Sequence, residues 1–101
     1  MFFGRPKILK SYKIRNLPVP RQYALDGVRI NALCPGFIST PPSRAAFESE
    51  EAKAFVHGMV PMGRTGTEEE VADMVHFLCS DRASYCHGEV MTITGGAMCT
   101  L

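Results

Sequence analysis

No run of apolar residues in this chain approaches the length of a membrane-spanning helix, which takes about 20 of them, so no membrane partner is expected. The net charge is only +1, which gives no whole-chain reason to expect a nucleic-acid partner. The four cysteines, Cys34, Cys79, Cys86 and Cys99, contain no CxxC pair and follow no secretory signal. A reduced, intracellular setting is therefore expected. His76, Cys79, Cys86 and His87 carry ligand chemistry, but the second pair lacks a recognised zinc spacing, so no metal site is assigned. Asp81, Ser84 and His87 crowd one turn, whereas hydrolytic triads are assembled from distant segments.

Acid is also missing from the start of the chain. Residues 1–21 hold Arg5, Lys7, Lys10, Lys13, Arg15 and Arg21 and no Asp or Glu, while the remainder has five basic and ten acidic groups. Pro6, Pro18 and Pro20 interrupt any single long helix there. Residues 1–20 read as a divergent basic leader. Its charge suits an organelle transit peptide, and its few serines and lack of an amphipathic stripe argue against one. The remaining length suits one modest domain over residues 21–101.

Beyond residue 20, hydrophobic periodicity gives an order of elements. Arg21–Asp26 reads as a helix end, with Gly27 in the left-handed position that follows. Val28–Leu33 alternates as a strand, closed by Pro35-Gly36. Pro41-Pro42-Ser43 starts a helix that Ser43 can cap and that continues from Ala45 through His57. Gly58, Pro61, Gly63 and Gly66 punctuate the loop after it. The clearest helix is Thr67–Ser80. Thr67 and Glu70 have capping-box spacing, and Val71, Met74, Val75 and Leu78 fall on one face. A turn over Asp81–Gly88 leads to a strand at Glu89–Thr94. Strands joined by helical crossovers imply parallel pairing. The expected fold class is α/β with two parallel strands, a lid helix and one large amphipathic helix. Two parallel strands do not make a stable sheet alone, so the chain reads as part of a larger sheet.

The most informative stretch is Asn31–Thr40. It begins as a strand, breaks at Pro35-Gly36, and then presents free backbone groups and two hydroxyls, Ser39 and Thr40, past the strand's C-terminal end. In a parallel α/β sheet that is where ligands bind.

Five ordered blocks resemble the C-terminal part of the short-chain dehydrogenase/reductase family, over about four-fifths of the chain. They are residues 23–32 (YALDGVRINA), residues 35–40 (PGFIST), residues 61–72 (PMGRTGTEEEVA), residues 77–81 (FLCSD), and Gly88-Glu89-Val90 leading to Gly95-Gly96. The loop at Val60–Gly63 and Thr94, standing where most members have Asp, are most similar to 3-oxoacyl-ACP reductases and the type-eight 17-beta-hydroxysteroid dehydrogenase. The resemblance implies the C-terminal fragment of a Rossmann-like, doubly wound parallel sheet. It implies NAD or NADP as cofactor, a 3-oxoacyl thioester or a steroid or alcohol carbonyl as small-molecule substrate, a homo-oligomer, and a mitochondrial or cytoplasmic setting. It assigns cofactor contacts to Pro35, Gly36, Ile38, Ser39 and Thr40, with the Ile38 backbone and the Thr40 hydroxyl holding the nicotinamide carboxamide. The bland alternative is that Ser39 and Thr40 only cap the following helix.

The family's other essentials are missing from these residues. There is no Gly-rich turn for the pyrophosphate. No Tyr-x-x-x-Lys pair exists either, because Tyr12, Tyr23 and Tyr85 are followed four places on by Asn16, Gly27 and Glu89. No catalytic residue is assigned, and the chain is expected to be a fragment, a truncated isoform or a gene-model error that is inactive alone. The other reading is a non-catalytic module kept for subunit association, for which Val90, Met91 and Ile93 offer an apolar strand edge. Arg64 is either an exposed surface arginine or a contact to substrate or subunit. Phe47, Phe55, Met59 and Met62 either line an acyl or steroid pocket or pack against the sheet.

Overall fold

The computed structural model describes residues 23–98. The basic leader, Arg21 and Cys99 fall outside them. In chain order the elements are β1 (Ala32–Pro35), β2 (Ile38–Ser39), α1 (Pro41–Phe47), α2 (Glu50–Met59), β3 (Gly66–Thr67), α3 (Glu68–Cys79), a 3-10 turn at Asp81–Ala83 and β4 (Val90–Ile93). The strands form two pairs, β1 with β4 and β2 with β3. The second pair is parallel, with Ile38 opposite Gly66 and Ser39 opposite Thr67. In the first pair Ala32 N–H donates to Glu89 O and Gly36 N–H to Ile93 O, both at 2.8 Å. Both partners advance together along their strands, as parallel pairing requires. The expected α/β class is what forms.

The described residues belong to two compact units, one of residues 23–33 with Val75–Met91 and one of Cys34–Met74 with residues 92–98.

In the first unit, Gly27 has φ +71°. Val28 N–H donates to Tyr23 O at 3.1 Å and Gly27 N–H to Ala24 O at 3.2 Å. This is a Schellman closure, and it places Gly27 where only a residue without Cβ is unstrained. The strand expected over Val28–Leu33 begins later, at Ala32. The reason lies in side chains that take over the ladder's bonds. Ile30 N–H donates to His87 Nδ1 at 3.1 Å, Asn31 Nδ2 donates to Cys86 O at 2.9 Å, and Glu89 N–H donates to Asn31 Oδ1 at 3.1 Å. Arg29 lies before β1. Its guanidinium donates to Ser80 O at 3.1 Å and Cys86 O at 3.4 Å, a cation at a carbonyl left over where α3 ends. Among the described residues of this unit, Ala32 and Ala83 are the buried apolar ones. Cys79 is exposed and is not the small core residue its place beside Leu78 suggests.

In the second unit, the helix expected through His57 is two helices. Ser49 breaks it, accepting Ala52 N–H at 3.2 Å as the N-cap of α2, with Glu50 and Glu51 in the first turn. Ser43 is not the cap of α1. Thr40 holds that position and Ser43 lies inside the first turn. Gly58 is helical, within α2, rather than part of the loop. Val56 and Val60 are buried here. Phe37 meets Phe47 and Phe55 edge-on, with ring centroids 6.5 and 5.9 Å apart, as T-shaped aromatic pairs do, while Phe55 keeps its other side exposed. Met59 and Met62 stay exposed.

The expected face of α3 is real but only half-buried at Val71, Met74, Val75 and Leu78. Among the described residues no helix is long and apolar enough to cross a membrane.

Candidate functional site

Residues 35–40 lie within the second unit. Pro35 ends β1. Its lack of an N–H costs the β1–β4 ladder nothing, because the donors to β4 fall on alternate residues, Ala32 and Gly36. Gly36 then lies against Thr94, the residue directly after β4. A Cβ there would sit 3.0 Å from Thr94 Cα and 3.2 Å from Thr94 Cβ, so any side chain at this position has to push the Thr94 backbone back by a few tenths of an ångström.

The next residues are held from one side. Gly66 N–H donates to Phe37 O at 2.8 Å. In a trans peptide the carbonyl and the following N–H point in opposite directions. Fixing Phe37 O on β3 therefore turns Ile38 N–H away from the β2–β3 pair. Thr40 follows one residue after Ser39, extended at φ −112°, ψ 161°.

Ser43 ties this segment together. Its Oγ accepts Thr40 N–H at 3.0 Å, lies 3.0 Å from Thr40 Oγ1, and reaches Ile38 O at 3.2 Å. Thr40 is thus a helix cap, as the bland alternative holds. Capping and ligand contact are compatible, because a hydroxyl has one donor and two acceptor sites.

A clamp stands on the β3 side. Arg64 donates Nη1 to Glu70 Oε2 at 3.0 Å and Nη2 to Glu70 Oε1 at 2.7 Å. Thr67 N–H donates to Glu70 Oε2 at 2.8 Å, and Glu70 N–H donates to Thr67 Oγ1 at 3.2 Å. The expected capping box is therefore present and carries an arginine fork as well. The Arg64 guanidinium first, and the Thr67 N–H second, lower the Glu70 carboxyl to about 2 from its ordinary 4.5. Arg64 is exposed, as one reading had it, but it is not idle. Its partner was missed because nothing in the sequence marks a pair six residues apart across a loop.

Phe37, Ile38, Arg64, Glu70, Thr94 and Gly95 help to line an open, mostly apolar depression beside this segment. Among the described residues no three His, Cys, Asp or Glu side chains gather as a metal set.

A family model described as Enoyl-(Acyl carrier protein) reductase matches residues 19–98. The chain is 43% identical over 89 residues to the short-chain dehydrogenase virB of Hypocrea virens, covering 83% of this chain and 36% of that protein. It is 46% identical over 76 residues to a 3-oxoacyl-acyl-carrier-protein reductase of Aquifex aeolicus, covering 75% of this chain and 30% of that one. Among solved structures it is similar to a short-chain type dehydrogenase/reductase from Mycobacterium ulcerans, with TM-score 0.74 and 36% identity over 79% of this chain and 29% of that chain. It is also similar to YwfH, an NADPH dependent reductase involved in bacilysin biosynthesis, with TM-score 0.72 and 31% identity over 82% of this chain and 35% of that chain. The chain spans about a third of the length of these relatives.

Proposed function

Because the chain belongs to the short-chain dehydrogenase/reductase family, we propose that Pro35, Gly36, Ile38, Ser39 and Thr40 hold the nicotinamide end of NAD or NADP. The whole site would serve reduction or oxidation of a 3-oxoacyl thioester or a steroid or alcohol carbonyl. The observation that carries this reading is the outward Ile38 N–H, fixed by the Gly66–Phe37 bond, two residues from the Thr40 hydroxyl. A carboxamide offers one acceptor and one donor group, and an N–H beside a hydroxyl matches both. Two such contacts fix which ring face meets a substrate. The nicotinamide supplies hydride chemistry when bound. These residues supply orientation.

Proton transfer is outside their reach. The 101 residues contain no Tyr-x-x-x-Lys pair and no Gly-rich turn, so the chain by itself carries no turnover in this reading. Residues 21–101 form the C-terminal portion of the family domain, supported by the match over residues 19–98. The 3-oxoacyl substrate class is supported by 46% identity to the Aquifex reductase. An intracellular setting, mitochondrial or cytoplasmic, belongs to the same reading and rests on the cysteine usage of the sequence, which has no CxxC pair and no secretory signal.

A second reading, a non-catalytic module for homo-oligomer association, is favoured by Val90, an apolar β4 residue that remains 42% exposed. Sedimentation over a concentration series tests it, and a monomer throughout would remove it. The cofactor reading is tested by titrating the isotope-labelled chain with nicotinamide mononucleotide while following backbone amides. Shifts centred on Ile38, Ser39 and Thr40 are expected. Shifts absent there at saturating ligand would overturn it.

A further inference from the structure

The hydroxyl of Ser43 meets more partners than its single proton can serve, and which one takes the proton decides what Thr40 presents to a ligand. Ser43 Oγ accepts Thr40 N–H at 3.0 Å. That uses one lone pair and leaves one lone pair and the proton. Three oxygens lie within reach of the proton: Thr40 Oγ1 at 3.0 Å, Ile38 O at 3.2 Å and Thr40 O at 3.3 Å.

The Thr40 carbonyl already accepts Arg44 N–H at 2.8 Å and Ser43 N–H at 3.0 Å, as a helix-capping carbonyl does. Ile38 O can only accept, whereas Thr40 Oγ1 can also donate. The arrangement that satisfies the most groups runs one way. Ser43 O–H donates to Ile38 O, and Thr40 O–H donates into the remaining lone pair of Ser43. Donation along such a chain polarises each member in the same sense. The Thr40 proton is then committed inward, and Oγ1 faces a ligand as an acceptor only.

We infer that Ser43 is a positioning residue that makes Thr40 an obligate hydrogen-bond acceptor, so that the segment selects ring ligands with an N–H donor beside their carbonyl. A carboxamide has that donor and a methyl ketone in its place does not. The inference rests on the cofactor reading above and adds to it the origin of amide selectivity. With Thr40 free to donate, the hydroxyl would serve a ketone oxygen as well as an amide. With Thr40 held as an acceptor, a ketone leaves it unmatched, and the loss of one net hydrogen bond is worth about two- to tenfold in affinity.

The test titrates the labelled 101-residue chain with nicotinamide mononucleotide and with its 3-acetylpyridine counterpart, reading the dissociation constant of each from the Ile38 and Thr40 amide shifts. The unsubstituted chain is expected to prefer the carboxamide by about two- to tenfold. Ser43→Ala is expected to remove that preference mainly by strengthening the 3-acetylpyridine counterpart, whose ketone oxygen the freed Thr40 hydroxyl can then serve, and Ser43→Thr to restore it. Ser43→Cys keeps the volume with a much weaker donor and reads the same quantity if Ser43→Ala fails to fold. A preference that survives both Ser43→Ala and Ser43→Cys overturns the role of Ser43 while leaving the cofactor reading intact. If neither ligand shifts these amides in the unsubstituted chain, the cofactor reading falls and this inference falls with it.

Discussion

Gly36 and Thr94 approach so closely that a Cβ on Gly36 would lie 3.0 Å from the Thr94 Cα. The obstructing atom is backbone, so relief requires the chain after β1 to move from the chain after β4 rather than a side chain to rotate. Gly36 N–H also donates to Ile93 O at 2.8 Å, which any such movement strains. Gly36→Ala should cost about 1–3 kcal/mol, as overpacking does. Urea denaturation compared with the unsubstituted chain measures it, and a neutral result would mean the approach is not tight in solution.

The Arg64–Glu70 fork makes an acid-sensitive corner. The Glu70 carboxyl is lowered to about 2 in the folded chain from an ordinary 4.5, so the unfolded chain binds the proton more readily. The stability it contributes is fully present above about pH 5 and is lost as pH falls toward about 2. Melting temperature should therefore fall across that window. In Glu70→Gln the fall should be shallower, because this linkage is gone. Equal slopes for both proteins would contradict the assignment.

Thr67 tests the other half of the same corner without touching the fork. Its Oγ1 accepts Glu70 N–H at 3.2 Å, and Thr67→Ala should lower stability by about 1 kcal/mol. Thr67→Ser should recover most of it, which thermal denaturation of the two variants checks.

The first unit has its own marker. The β1–β4 offset carries Ala32 to Glu89 and Gly36 to Ile93, and the same offset carries Ile30 to His87. Ile30 N–H does reach residue 87, but at the ring Nδ1 rather than the carbonyl. A nitrogen that accepts keeps its lone pair, so the ring proton should be found on Nε2 by nitrogen-detected NMR. His87→Ala should speed Ile30 amide exchange and cost about 1 kcal/mol. Unchanged exchange would remove the bond.

These particulars show which features a sequence makes legible. Gly27 and the Thr67–Glu70 box are local and stereochemical, so their residue types announced them. The Pro35-Gly36 break was legible for a similar reason, although the crowding at Gly36 comes from Thr94, far along the chain. The division between α1 and α2 had a signal, Ser49 followed by Glu50 and Glu51, which the helix formers on both sides masked. β2 and β3 are two residues each, too short for any periodicity. The late start of β1 was not legible because side chains of Asn31 and His87 replace backbone partners. Of the candidate site, the motif at residues 35–40 was readable, whereas the Ser43 tie and the Arg64 fork exist only once the chain is folded.

Turnover is the expectation most exposed to a simple assay. The purified chain should oxidise neither NADH nor NADPH in the presence of an acetoacetyl thioester. A clear, protein-dependent rate would show that the missing tyrosine and lysine have a substitute among these residues.

The central claim is that residues 35–40 hold a nicotinamide ring by its carboxamide edge. The most direct measurement is the set of intermolecular proton contacts between bound nicotinamide mononucleotide and the labelled chain. Contacts from the ring protons flanking the carboxamide to the Thr40 methyl and the Ile38 amide are predicted. Contacts confined to other residues, with none to Ile38 or Thr40, would contradict it.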